Sequence, residues 1–101
     1  MTVQDPSSLP DMAAVRAEID QLDDAILALL ARRQACVDRA AVVKPAEGIP
    51  ANAPARVTEV LARVRAKAEE AGFEPKTAEA MWQTMIEAMI AREERAMGHK
   101  D

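Results

Sequence analysis

The sequence predicts an all-α chain of three helices, the first of them long and paired with a second copy in an intertwined homodimer. Three observations carry this. Half of the 101 residues are apolar and alanine is abundant, with no long β-branched run and only Phe73 and Trp82 as aromatics. Alanine loses no side-chain entropy on entering a helix. Proline and glycine cluster at Pro45–Pro54 and again at Gly72 and Pro75, which leaves three uninterrupted segments. The first segment repeats apolar residues every three or four positions.

Helix 1 is predicted from about Pro10 to Val43, roughly 50 Å at 1.5 Å per residue. Ser8 can cap it, Pro10 fits a first turn and Asp11 favours the positive helix end. Its seam is Val15, Ile19, Leu22, Ile26 and Leu29, a heptad spacing. Pro45, Gly48, Pro50 and Pro54 make the next stretch a loop. Helix 2 starts near Pro54, with Asn52 or Ala53 as cap, presents Val57, Val60, Leu61 and Val64, and stops at Gly72. Helix 3 starts at Pro75, presents Ala78, Trp82, Met85, Ile86, Met89 and Ile90, and ends at Gly98. The whole chain, 1–101, reads as one domain with flexible ends at 1–9 and 98–101, His99 among them. A lone long helix with an exposed heptad seam is not stable in water, and a second copy is the simplest cover.

The net charge is −4, and no basic face suited to nucleic acid stands out. The single Cys36 cannot form an internal disulfide and fits a reducing cytoplasm. Met1–Pro10 is polar and lacks a signal-peptide core, and no apolar stretch is long enough to span a membrane. There is no Ser-His-Asp set, Cys-His pair, metal-ligand cluster or Gly-rich phosphate loop. The expectation is chemistry without metal, cofactor or enzyme nucleophile.

Five charged residues break the helical pattern. Arg33 continues the seam of helix 1 at a position that should be apolar, where an unpartnered guanidinium is costly. Lys44, 11 residues on, falls nearly on the same face. Two inward cations suit a bound anion. Equally, Arg33 could pair with a helix 3 carboxylate and Lys44 could cap its helix. Arg16 flanks the seam, about 25 Å from Arg33 along the axis, so only an antiparallel dimer brings both to one small molecule. Alone, Arg16 reads as a solvated helix charge. Arg56, in the first turn of helix 2, opposes the helix dipole, unless it faces Glu59 or Glu69 at the surface. Glu93 continues the helix 3 stripe through Trp82, Ile86 and Met89. It is either wet near the helix end or desolvated, with the wet reading slightly ahead.

The run Val15-Arg16-Ala17-Glu18-Ile19-Asp20-Gln21-Leu22-Asp23, then Leu29-Leu30-Ala31-Arg32-Arg33, then Lys44, closely resembles helix 1 of the all-α (class II) chorismate mutases. The resemblance extends from about Met12 to Met97. It implies a three-helix dimer with paired first helices, acting on a small dicarboxylate. Within it, Arg16 matches an arginine lent by the neighbouring subunit, and Arg33 one that binds a substrate carboxylate. Lys44 matches the lysine at the enol ether oxygen, and Arg56 the arginine opening helix 2. Glu93 stands where many members carry Gln, a second donor to that oxygen. The implied reaction is the one-step pericyclic rearrangement of chorismate to prephenate in aromatic amino-acid biosynthesis, with arginine forks on the carboxylates and Lys44 where charge develops.

Typical mutases place carboxylates around the start of helix 2 for the ring hydroxyl, where this chain has Ala53 and Val57. The segment from Ile49-Pro50 through Pro54-Ala55-Arg56-Val57 is similar instead to isochorismate pyruvate lyases of the same fold. Aminodeoxychorismate mutases also lack the usual hydroxyl ligands. Three functions stay open: chorismate mutase, a lyase or mutase on isochorismate or aminodeoxychorismate, and a non-catalytic helical dimer that binds such a ligand.

Overall fold

The structure, a computed structural model, describes residues 5–98, so of the expected tail only Gly98 is described and His99 to Asp101 lie outside it. Among the described residues it is all-α, with a 3-10 turn at Pro6–Ser8 followed by α1 (Met12–Glu47), α2 (Pro54–Ala71) and α3 (Pro75–Ala96). The chain divides into two compact units, Met1–Ala35 and Cys36–Asp101.

In the first unit the helix start differs from expectation. Asp11, not Ser8, caps α1, its carboxylate accepting from the Ala14 amide at 2.9 Å and its carbonyl from Val15 at 3.1 Å. Ser8 belongs to the preceding turn, which Asp5 caps. The predicted seam is solvent-facing in the single chain. Ile19 is 49% exposed, Leu22 40%, Ile26 48% and Leu29 66%.

The second unit holds the end of α1 together with α2 and α3. Here α1 continues past the expected end at Val43, through Pro45 to Glu47. Pro45 forfeits one amide donor, but Gly48 takes a left-handed conformation (φ 71°) that lets Ile49 donate to the Lys44 carbonyl at 2.8 Å. The last turn is therefore closed despite the proline. Gly72 (φ 80°) ends α2 the same way, with Phe73 donating to Ala68 at 2.8 Å. Ala53 is the N-cap of α2, without a side-chain bond, and Glu74 caps α3.

The three-residue link from Gly72 to Glu74 folds α2 and α3 into a hairpin of neighbouring helices. Their predicted apolar faces are the ones withdrawn from water. Ala68, Ala78 and Ile86 are buried, while Val57, Val60, Leu61, Val64, Trp82, Met85, Met89 and Ile90 are half-buried. Trp82 and the methionines are thus not a sealed core in one chain. Arg65 and Glu79 join the two helices by an ion pair at 3.0 Å. Ala41 and Ala51 complete the small buried set, and small residues permit close backbone approach.

Candidate active site

Lys44 stands in the last turn of α1, and Glu93 on the buried stripe of α3, seven residues after Ile86. Their side chains meet. Lys44 Nζ lies 2.8 Å from Glu93 Oε1 and donates to Oε2 at 3.0 Å. It also donates to the Ala51 carbonyl at 2.9 Å. The loop after α1 turns back at Gly48, which delivers that carbonyl. An ammonium has three donors. With Ala51 and Glu93 taking one each, one remains uncommitted among the described residues.

Glu93 is 6% exposed. The expectation that it is wet is therefore corrected. Its position near the end of α3 does not leave it in water, and its charge is compensated by direct pairing with Lys44. The Lys44 side chain keeps 21% exposure, so the pair has one open side.

The other three residues are placed as follows. Arg56 is exposed at the start of α2 and pairs with Glu59, the surface partner named from the sequence. Arg33, in the first unit, is half-buried and has no hydrogen bond or ion pair among the described residues. Arg16 is exposed and also unpaired among the described residues.

Two contributors were not singled out from the sequence. One is the Ala51 carbonyl, a main-chain group with no sequence signature. The other is the pair Asp38–Arg92, which links α1 to α3 by a fork. Arg92 Nε donates to Asp38 Oδ1 at 2.6 Å and the terminal nitrogen to Oδ2 at 3.0 Å. The hydrogen bond from Arg92 holds the Asp38 carboxyl below its usual value and raises the guanidinium. Opposite charges six residues before Lys44 and next to Glu93 were the available hint.

Among the described residues no three metal-ligating side chains converge, and no helix is long and apolar enough to cross a membrane. An open recess lined by Pro50, Ala51, Asn52, Glu94 and Met97 lies on the loop beside the ion pair and does not include Lys44 or Glu93. What the arrangement offers chemically is a fixed, partly dehydrated ammonium with a neighbouring carboxyl group. That suits an oxygen acquiring negative charge.

Comparison with known proteins agrees with this inventory. The chain is 32% identical over 76 residues to the chorismate mutase of Methanocaldococcus jannaschii, which covers 75% of this chain and 77% of that protein. It is 38% identical over 65 residues to the T-protein of Enterobacter agglomerans, which covers 64% of this chain but only 17% of that longer protein. The family model for chorismate mutase type II matches residues 15–94, a span that contains Arg16, Arg33, Lys44, Arg56 and Glu93, and the chain belongs to that family of isomerases.

Proposed function

We propose that this chain rearranges chorismate to prephenate in a site shared between two copies of itself. In that reaction one C–O bond breaks and one C–C bond forms in a single pericyclic step. No proton or group need pass to the protein. The enzyme's tasks are to hold the compact conformer and to stabilise the charge that grows on the ether oxygen.

The observation that carries the reading is the Lys44 ammonium, held by Ala51 and Glu93 with one donor still available. That donor is assigned to the ether oxygen. Glu93 orients Lys44 as a carboxylate. Arg33, half-buried and unpaired among the described residues, is assigned to one substrate carboxylate and Arg56 to the substrate from the start of α2. Arg16 is assigned to the partner copy's site. Support for the pairing is the solvent-facing seam of Ile19, Leu22, Ile26 and Leu29, which a second α1 would cover. A free Cys36 supports a reducing, cytoplasmic setting.

A second reading has one observation in its favour. The first turn of α2 carries no acidic residue, and its cap Ala53 offers no side-chain bond for a ring hydroxyl. That leaves isochorismate or aminodeoxychorismate as alternative substrates. Incubation with chorismate and isochorismate separately, with product identification by NMR, decides. Prephenate from chorismate supports the proposal. Salicylate and pyruvate from isochorismate alone would replace it with the lyase. Turnover of none of these substrates, aminodeoxychorismate included, would leave the ligand-binding dimer.

A further inference from the structure

We propose that Asp38 and Arg92 are positioning residues that hold Glu93 against Lys44, an inference that rests on the proposed role of Lys44. Asp38, Ala41 and Lys44 are spaced at i, i+3 and i+6, which makes them one continuous row along α1. Arg92 and Glu93 are consecutive on α3. So two ion pairs join the same two helices at the two ends of one row, with the buried Ala41 midway between them.

The two links differ in kind. Lys44–Glu93 is a point charge on a flexible stem, whose three donors rotate and whose geometry must be imposed. Asp38–Arg92 is a planar fork with both oxygens engaged, which sets direction as well as distance. An isolated exposed ion pair contributes little to stability, and Asp38 and Arg92 are 46% and 40% exposed. A bidentate fork is the exception in geometry, and here its function is placement. Because Arg92 and Glu93 share one peptide bond, fixing the guanidinium fixes the azimuth and height of α3 at Glu93. A rotation or slide of α3 there would carry the carboxylate off Lys44. Misplacement of about 1 Å at a reacting centre can cost up to about a hundredfold in rate.

The test compares Asp38→Asn and Arg92→Lys with Lys67→Met, which breaks the exposed Lys67–Glu70 pair of α2. Both fork variants should lower kcat about tenfold with KM changed less than about twofold, while Lys67→Met leaves both unchanged. Arg92→Lys keeps the charge and loses the fork, so it separates direction from electrostatics. In a Glu93→Ala background the Asp38→Asn effect should nearly vanish, since the pair acts through Glu93. Wild-type kcat in the fork variants, or a full tenfold loss persisting without Glu93, overturns the proposal. A second readout does not depend on turnover. The Lys44 ammonium should give a resolved, slowly exchanging proton–nitrogen correlation in the wild type that is lost in Asp38→Asn. Its retention in the variant would overturn the positioning role even if the substrate assignment proved wrong. Absence of turnover in the wild type would count against the function alone.

Discussion

Glu93 places both carboxylate oxygens within 3.0 Å of Lys44 Nζ, across two helices whose residues are 49 positions apart. Both groups lie where water is scarce, so each depends on the other. Lys44→Ala would leave the Glu93 charge buried without compensation. We expect a loss of about 1–3 kcal/mol in stability, below the figure for fully buried pairs because Lys44 is partly wet. Glu93→Gln retains an acceptor for the ammonium and should cost less. Urea denaturation of the two variants checks the order, and equal losses would contradict it.

The same two residues should separate in kinetics. Charge on the ether oxygen appears only during the reaction, so Lys44→Ala should lower kcat strongly while KM changes less. An unchanged kcat with a raised KM would assign Lys44 to carboxylate binding. Glu93 acts by orienting Lys44, so Glu93→Gln, which keeps an acceptor for the ammonium, should lower kcat less than Glu93→Ala. Equal losses in the two variants would contradict that role.

The helices were legible because proline and glycine punctuate this chain cleanly. The errors were local and physical. Pro45 reads as a stop, but the left-handed Gly48 closes the turn beyond it by giving the Lys44 carbonyl an amide. Ser8 and Asp11 are both capping types, and only the backbone decides between them. Spacing on one helix singles out Lys44 as an inward cation, and the structure has it part-buried. Its neutralisation was not legible, because Glu93 and Ala51 reach Lys44 through tertiary folding, as does the Asp38–Arg92 fork, 54 positions apart. Glu93 was misjudged for the same reason. Distance from a helix end says nothing about what covers it.

Dimerisation is the outcome expected from the exposed seam. A folded chain that leaves Ile19, Leu22, Ile26 and Leu29 about half exposed forgoes roughly half of the 1.5–3 kcal/mol that full burial of each contributes. Sedimentation should give about twice the 11.0 kDa chain mass. Ile19→Lys with Ile26→Lys should dissociate or unfold the protein, because each would bury an unpaired charge in the apolar pairing seam. A wild-type monomer that is folded at micromolar concentration would remove the basis for a shared site.

The proposed shared site has its own signature. Arg16→Ala and Arg33→Ala should each be nearly inactive, through loss of a charge-assisted contact of roughly 2–4 kcal/mol in the transition state. Each heterodimer of the two variants would contain one site with both arginines intact and one with neither. Mixing and re-equilibration should therefore restore up to about a quarter of the wild-type activity, half of the dimers being mixed and half of their sites whole. Mixtures that form heterodimers and stay inactive would show that Arg16 and Arg33 do not serve one site across the subunits.

Acid titration should single out Asp38. Arg92 holds its carboxyl below the usual value of 3.8 in the folded chain, whereas the unfolded chain returns to that value. Above pH 3.8 the group is ionised in both states, so the contribution of the fork to stability is complete. As pH falls through 3.8 toward the folded value, the unfolded state takes up a proton first, and linkage lowers stability. Below the folded value the contribution is gone. Asp38→Asn has no such proton to gain. Denaturation midpoints of wild type and Asp38→Asn, measured from about pH 6 to pH 2, should therefore differ most above pH 3.8 and converge below it. The fork is solvent-exposed, so added salt should narrow the gap at every pH. A gap that stays constant down to the lowest pH would mean that Asn disturbs packing there, and that ionisation of Asp38 is not what ties α3 to α1.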